Sequence, residues 1–278
     1  MTRSPKLLTG LAIIGALVLF GVLGPLFMTD PNRVTGELLL PPSPHHLLGT
    51  TQAGQDVFAQ LASATRGSLL VGLLVGAIAT LLSILLGVVG GYLGGRTDDL
   101  MSLVVNVVLV IPGLPLAFVV LDYLRGRGLL TIVLVVAITS WAASARVLRA
   151  QTLSLRGRDY VLAARAGGER TWRIVAVEVM PNLLPVVAAQ FIWAVVLAVL
   201  TEAGLSFLGL GGIDSLTWGT MLYFAQNSEA LQLGIWWWFV PPGLCIALLG
   251  CGLSLVNFSL DEVINPQLRV RRARRRSA

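Results

Sequence analysis

From Gly67 to Gly95 the chain carries no Asp, Glu, Lys or Arg. A helix that crosses a membrane needs about 20 apolar residues, each advancing about 1.5 Å, and this stretch exceeds that length. Water-soluble folds seldom keep so long a run free of charge, because one face of each surface helix must meet solvent. The composition agrees: 55% of the 278 residues are hydrophobic and only 12% are charged, about half the share usual in soluble domains. Mean hydropathy is +0.82. These values exclude a disordered chain, a solvated nucleic-acid-binding module and an ordinary cytosolic enzyme. The chain reads as a polytopic membrane protein.

Charge-free stretches place six spans. Leu7–Leu26 follows Arg3 and Lys6. A basic start and an apolar core fit a signal peptide, but the run is long and no A-x-A site precedes Asp30, so an uncleaved first span is favoured. The second span is expected near Leu69–Leu93. The third lies between Asp99 and Asp122 with Pro112 and Pro115 inside it, and the fourth covers Gly128–Ala145. The fifth starts after Pro181, a favoured first helical position, and runs past Glu202. The last falls within Ala230–Leu260, with Trp236, Trp237 and Trp238 as an interfacial belt. The expected fold is all-α, with a first span over 1–30, an extracytoplasmic segment over 31–68, a transmembrane core over 69–262 containing a cytoplasmic loop over 150–180, and a basic tail over 263–278.

Orientation follows from where cations cluster. Arg146, Arg149, Arg156, Arg158, Arg165, Arg170 and Arg173 lie between the fourth and fifth spans, and Arg269, Arg271, Arg272, Arg274, Arg275 and Arg276 follow the last. The Gly211–Ile235 connection has no Lys or Arg. Both termini are therefore expected to be cytoplasmic, with Arg125 and Arg127 as exceptions. A basic tail can bind RNA, but beside a membrane helix it more often holds anionic headgroups, so lipid and not nucleic acid is the expected contact.

Several chemistries lack their residues. A phosphate-binding P-loop needs a Gly-Lys pair, and the only lysine, Lys6, follows Pro5. His45 and His46 are neighbours in a proline-flanked loop, where adjacent side chains point apart, so no metal site is expected. Cys245 and Cys251 read as packing residues in an apolar run. With neither a G-x-S-x-G elbow nor a paired-carboxylate motif, no catalytic residue is expected, and the chain is expected to have no ATPase site of its own.

The loop between the fourth and fifth spans carries the most information. Asp159 is expected to cap a helix over Tyr160–Ala166, and Gly167 and Gly168 then permit a sharp bend. The helix would present Ala163, Ala164 and Gly167. Small side chains allow another protein's backbone to approach. A helix lying on lipid would need bulky apolar residues instead, so docking is favoured over a lipid-surface role.

This stretch resembles the EAA loop of ABC-importer permeases, whose pattern is E-A-A, three residues, G, nine residues, then I-x-L-P. Ala163, Ala164, Gly168 and Pro181 match, while Leu162, Glu178 and Met180 replace the Glu, Ile and Leu. Tyr160-Val161, Ala163-Ala164-Arg165-Ala166 and Pro181-Asn182 are similar to the dipeptide/oligopeptide/nickel branch. The resemblance covers nearly the whole chain. Leu48-Gly49-Thr50, Gly54, Asp56, Arg66, Ser68-Leu69 and Gly72 fit the segment entering the second span of the C-type subunit, although Thr51 and Gln55 stand where Asp and Arg are usual. Glu202-Ala203-Gly204-Leu205-Ser206-Phe207-Leu208-Gly209-Leu210-Gly211 is close to the signature ending the fifth span, and Trp218-Gly219 follows it. Asn265-Pro266 and Leu268-Arg269 are similar to the D-P-x-L-R ending, with Asn257-Phe258 in place of the Gly-Asp before it. Leu103 and Asn106 replace an Arg and an Asp together, which avoids stranding one charge.

The resemblance implies the type I ABC-importer permease fold, in which spans two to six form the core and the first is peripheral. It implies a bacterial inner-membrane location, a heterodimer with a second permease subunit, two ATPase subunits that carry ATP and Mg, and an extracytoplasmic solute-binding protein. In this reading the chain itself binds no cofactor. Asp159, Tyr160, Ala163, Ala164, Arg165, Gly167, Gly168 and Thr171 would couple it to the ATPase. Dipeptides, oligopeptides, nickel chelates and glutathione all remain open as cargo, because the external binding protein usually selects.

Four residues are pathway candidates: Glu202, Asn106, Pro112 and Trp141. An intramembrane carboxylate is a functional candidate by default, though Glu202 has an alternative role as a structural carboxylate capped by the glycine-rich turn after it. A pathway role predicts that Glu202→Gln lowers uptake while insertion persists. Pro112 and Pro115 would kink the third span and free carbonyls, facing either the pathway or only protein. Two other functions remain: a small ion-coupled transporter or channel using Glu202, and a membrane scaffold. The first does not need the glycine-broken loop, and the second leaves Glu202 and the prolines unexplained.

Overall fold

A computed structural model describes residues 5–28, 30–124, 128–212 and 215–264, the last four by backbone alone. Arg3, Arg125, Arg127, Asn265, Pro266, Leu268, Arg269 and the Arg271–Arg276 cluster lie outside the described residues. In chain order the α-helices are α1 (Pro5–Phe27), α2 (Val57–Ser83), α3 (Gly90–Leu93), α4 (Gly95–Val110), α5 (Gly113–Tyr123), α6 (Leu129–Ser140), α7 (Ala142–Arg156), α8 (Asp159–Ala166), α9 (Thr171–Arg173), α10 (Met180–Phe207), α11 (Trp218–Asn227) and α12 (Trp236–Ile264). No strand is formed among the described residues; two isolated bridges, Val34 with Gln55 and Thr50 with Asp56, tie together the loop between α1 and α2.

Two π-helical segments, Ile84–Val89 and Ile174–Val179, join neighbouring helices into continuous runs, Val57–Leu93 and Thr171–Phe207, of 37 residues each. Each run is about 55 Å long at 1.5 Å per residue, well beyond a hydrocarbon core of about 30 Å, so each must emerge from the bilayer. The second span begins at Val57 and not near Leu69. Asp56 Oδ1 accepts from the N–H groups of Phe58 and Ala59, both at 2.9 Å, and this cap starts the helix ahead of exposed Arg66. Pro181 lies inside the Thr171–Phe207 run and does not start it, because the wide π turn immediately before relaxes the hydrogen-bond ladder where proline offers no N–H.

The prolines of the third span break it outright. Ile111 is extended, as a residue preceding proline tends to be, and α4 meets α5 at 84° across the break. The fourth span bends by 42° at Trp141 and continues to Arg156, past the expected end at Ala145. Four helices are long and apolar enough to cross a membrane, or six if each bent pair counts as one span. The all-α polytopic expectation stands on that count.

Close packing depends on small residues, as it does wherever helices pair within lipid. Gly72 and Gly76 stand one turn apart on α2 against Val195 and Val199 of α10, and a Cβ at Gly76 would lie 2.6 Å from the Val195 side chain. A Cβ on Gly10 of α1 would meet the Gly252 carbonyl of α12 at 2.7 Å. Gly76→Leu is therefore expected to force α2 and α10 apart at a cost of about 1–3 kcal/mol or more. A lower thermal midpoint of the detergent-solubilised protein checks this, and an unchanged midpoint would refute the close-packing account.

Cys245 is buried beside Leu17, Trp238 and Leu249, while Cys251 is exposed, so only Cys245 fits the expected packing role. His45 is exposed. His46 bridges two carboxylates, Asp56 Oδ2 at 2.7 Å and Glu37 Oε2 at 3.4 Å, and so ties the loop after α1 to the start of α2. No group of three His, Cys, Asp or Glu able to hold a metal stands among the described residues.

Candidate coupling surface and membrane polar network

Helix α8 is short, and its position is set by one buried side chain. Val161 is fully buried against Val88 and Tyr92 of the α2–α3 run, Leu148 of α7, and Ile174, Val179 and Leu183 of the α10 run. Tyr160, Leu162, Ala163, Arg165, Ala166 and Gly167 are exposed around it, and Ala164 is half-buried in the same cluster. Arg165 places its guanidinium 5.4 Å from the Tyr92 ring centroid, a cation–π contact. The expected cap is displaced by one residue: Arg158 is the N-cap and makes no side-chain cap bond, while Asp159 is the first helical residue. The carboxylate at Asp159 still opposes the positive helix end.

The helix ends as a Schellman turn. The Gly168 N–H reaches the Arg165 carbonyl at 3.1 Å and the Glu169 N–H reaches Ala164 at 3.2 Å. Gly168 has φ +76°, which an L-residue adopts only with strain, whereas Gly167 remains in the right-handed region. Glu169 then pairs with Arg173, and exposed Thr171 opens the next helical turn. Trp172 is 65% exposed beside it. These residues form one exposed surface on a packed base. The base is reinforced by Asp98 of α4, whose two oxygens accept from Arg149 Nε at 2.6 Å and Nη2 at 2.8 Å. Arg149 reads in the sequence only as one more cation of the loop, since its partner lies 51 residues away.

The four pathway candidates are held by different neighbours. Trp141 is buried among Ala79, Val105, Ala145 and Ala194, and its carbonyl accepts from Ser83 Oγ at 2.8 Å. Asn106 Oδ1 accepts from Arg146 Nη2 at 2.8 Å, so Arg146 bonds to the position where the resemblance expects an acid. Pro112 is exposed at the break between α4 and α5. Glu202 is fully buried, and its Oε1 accepts from Ser206 Oγ and Thr217 Oγ1, both at 2.7 Å.

Glu202 lies within a larger network. Thr217 and Thr220 form a capping box that starts α11. The Trp218 N–H then donates to Ser68 Oγ at 2.9 Å, and its indole Nε1 donates to Thr65 Oγ1 at 3.0 Å. The stretches around 66–72, 202–211 and 218–219, which the resemblance marks separately, thus meet at one point. Thr65 and Thr217 were not legible as members, because a lone threonine in an apolar run has no distinctive pattern. Glu202→Gln keeps an acceptor oxygen for both hydroxyls and is expected to leave uptake within about twofold, whereas Glu202→Ala leaves two buried hydroxyls without their acceptor at about 1–3 kcal/mol. A tenfold loss of uptake by the Gln variant at normal expression would assign Glu202 to the pathway instead.

At the start of α2, Thr51 and Gln55 stand where the resemblance expects a charged pair. Here they bond through main chain and hydroxyl: the Thr51 N–H to the Gln55 carbonyl at 2.9 Å and the Gln55 N–H to Thr51 Oγ1 at 3.1 Å. Gln60 Nε2 donates to Gln55 Oε1 at 2.8 Å. This region lies at the far end of α2 from α8, since Gly91 and Gly94 at the other end of the α2–α3 run abut Arg149 and Arg156.

An almost entirely helical bundle with up to six apolar spans has the architecture of a polytopic membrane permease. The chain belongs to the family described as the binding-protein-dependent transport system inner membrane component, which matches residues 79–270, and it is a multi-pass inner-membrane protein. It is 33% identical over 272 residues to the oligopeptide transport system permease protein OppC of Bacillus subtilis, covering 96% of this chain and 88% of the relative. It is also 33% identical to the dipeptide transport system permease protein DppC of the same organism, covering 97% and 84%. The di/tripeptide transport system permease protein DppC of Pseudomonas aeruginosa is 34% identical, covering 86% and 80%.

Proposed function

We propose that this chain is one of two permease subunits of an ATP-driven peptide importer, and that partner ATPases dock on α8. The observation that carries this reading is the seating of α8: an exposed small-residue face, Ala163 and Gly167, fixed through buried Val161 to three transmembrane runs at once. Movement of α8 by a docked ATPase would displace the α2–α3, α7 and α10 runs together, since a packed core transmits strain. The Asp98–Arg149 pair would carry the same displacement into α4. ATP and Mg belong to the ATPase subunits, and this chain supplies no hydrolytic residue.

The printed functions of the relatives, transport of dipeptides, di/tripeptides and oligopeptides, support peptides as the cargo class. A second permease subunit completes the pathway and an extracytoplasmic solute-binding protein delivers the peptide. Both termini face the cytoplasm, which keeps the arginine-rich α7–α9 region on the side where cations collect.

The test is uptake of labelled peptide into proteoliposomes holding this chain, its partner permease, the ATPases and the binding protein. Uptake is expected only with ATP and binding protein present. Uptake by this chain without an ATPase, driven by a proton or sodium gradient, would overturn the reading.

A further inference from the structure

We propose that a cavity of about 650 Å³ at the outer start of α2 is a binding site for the main chain of a peptide. The proposal rests on the peptide-import reading above and adds a site to it. The volume falls within the roughly 300–1,000 Å³ of small-ligand pockets. The chemistry of its wall is narrow. Asn32, Gln52, Gln55 and Gln60 bring four carboxamides to it, Phe224 and Trp238 bring aromatic faces, and no ionisable side chain lines it.

A carboxamide carries both a donor and an acceptor, as a peptide group does. The Gln60-to-Gln55 bond uses one donor and one acceptor of that pair. It leaves the Gln55 NH₂ and the Gln60 carbonyl oxygen at the ends of a preset donor–acceptor unit, and Gln60 is itself only 7% exposed. Trp238 is buried in the core and closes one wall of the cavity with its ring.

A free amino or carboxylate terminus would find no opposite charge here, and leaving water unpaired is costly for an ion. An uncharged backbone segment would find amide partners and an aromatic surface. Such a site accepts peptides of any side-chain charge, because it recognises what all of them share. It is assembled from the outer loop, the start of α2, α11 and the start of α12. It is therefore placed at the opposite end of the bundle from α8, where a delivered peptide would first arrive.

The test uses the complete reconstituted importer and a photoreactive probe, an N-acetylated, C-amidated tripeptide bearing a diazirine. After irradiation, label is expected in segments 51–60 and 216–238 of this chain, and capped peptides with acidic, basic or neutral side chains should compete equally. Ser228→Trp, which fills the cavity, and Gln55→Ala are each expected to cut labelling at least about tenfold. Assembly of each variant is checked by co-purification of the complex, so that Gln55→Ala decides if the bulkier change prevents assembly. Absence of label from these segments, labelling undiminished in an assembled variant, or equal competition by a neutral disaccharide would overturn the site. Peptide uptake measured in parallel separates the two claims. Uptake without labelling removes the site alone, and labelling without any ATP-dependent uptake removes the import reading while leaving the site.

Discussion

Ala163→Glu is expected to release the ATPase subunits from the detergent-purified permease, lowering the amount retained at least about tenfold, or roughly 1.4 kcal/mol. Ala163 is exposed on the face of α8 turned away from Val161, so the added carboxylate projects from the surface without disturbing the seat. The same change at Ala164 is a poorer test, because Ala164 is half-buried in the cluster that positions the helix. A charge inside an apolar contact costs desolvation that no partner offsets. The folded permease should keep its thermal midpoint. Full retention of ATPase and normal ATP hydrolysis by the variant would mean that docking occurs elsewhere on the chain.

Trp218→Ala is expected to be the most destabilising single change in the membrane domain, at about 3–5 kcal/mol for a large aromatic removed from a tight core. Trp218 is 0% exposed and packs against Val57, Leu61, Met221 and Trp238. Its indole also holds α11 to Thr65 of α2. Trp218→Phe retains most of the packing, and the Thr65 hydroxyl keeps its bond to the Leu61 carbonyl at 2.7 Å. Loss of one neutral hydrogen bond then costs about 0.5–1.5 kcal/mol. The pair of thermal midpoints reads the difference. If the Ala variant melts no lower than the Phe variant, the indole volume is not what joins α11 to the bundle.

How far these sites are visible in sequence depends on the reach of the interaction. The α8 turn is local: Gly167 and Gly168 follow a run of helix formers, and the hydrogen bonds that close the turn span at most five residues. The residue pattern therefore anticipates it, with Asp159 misplaced by a single position. The third span is only half visible. Pro112 announces an interruption, but the angle of 84° depends on what α4 and α5 pack against. The place of Trp141 is likewise set by separate helices, since its neighbours Ala79 and Ala194 come from α2 and α10.

Sequence alone determined that this chain is a helical membrane protein and where its apolar runs lie. Those properties follow from local hydrophobicity and charge, which act over a few turns of chain. Only the tertiary structure decided that Glu202 meets Thr217, that Ser68 meets Trp218 across 150 residues, and that Asp98 clamps Arg149. It alone gathered four carboxamides from distant segments around one cavity. Each of those contacts depends on the rotation and crossing of packed helices, which apolar patterning leaves undetermined because lipid and protein interior are almost equally apolar.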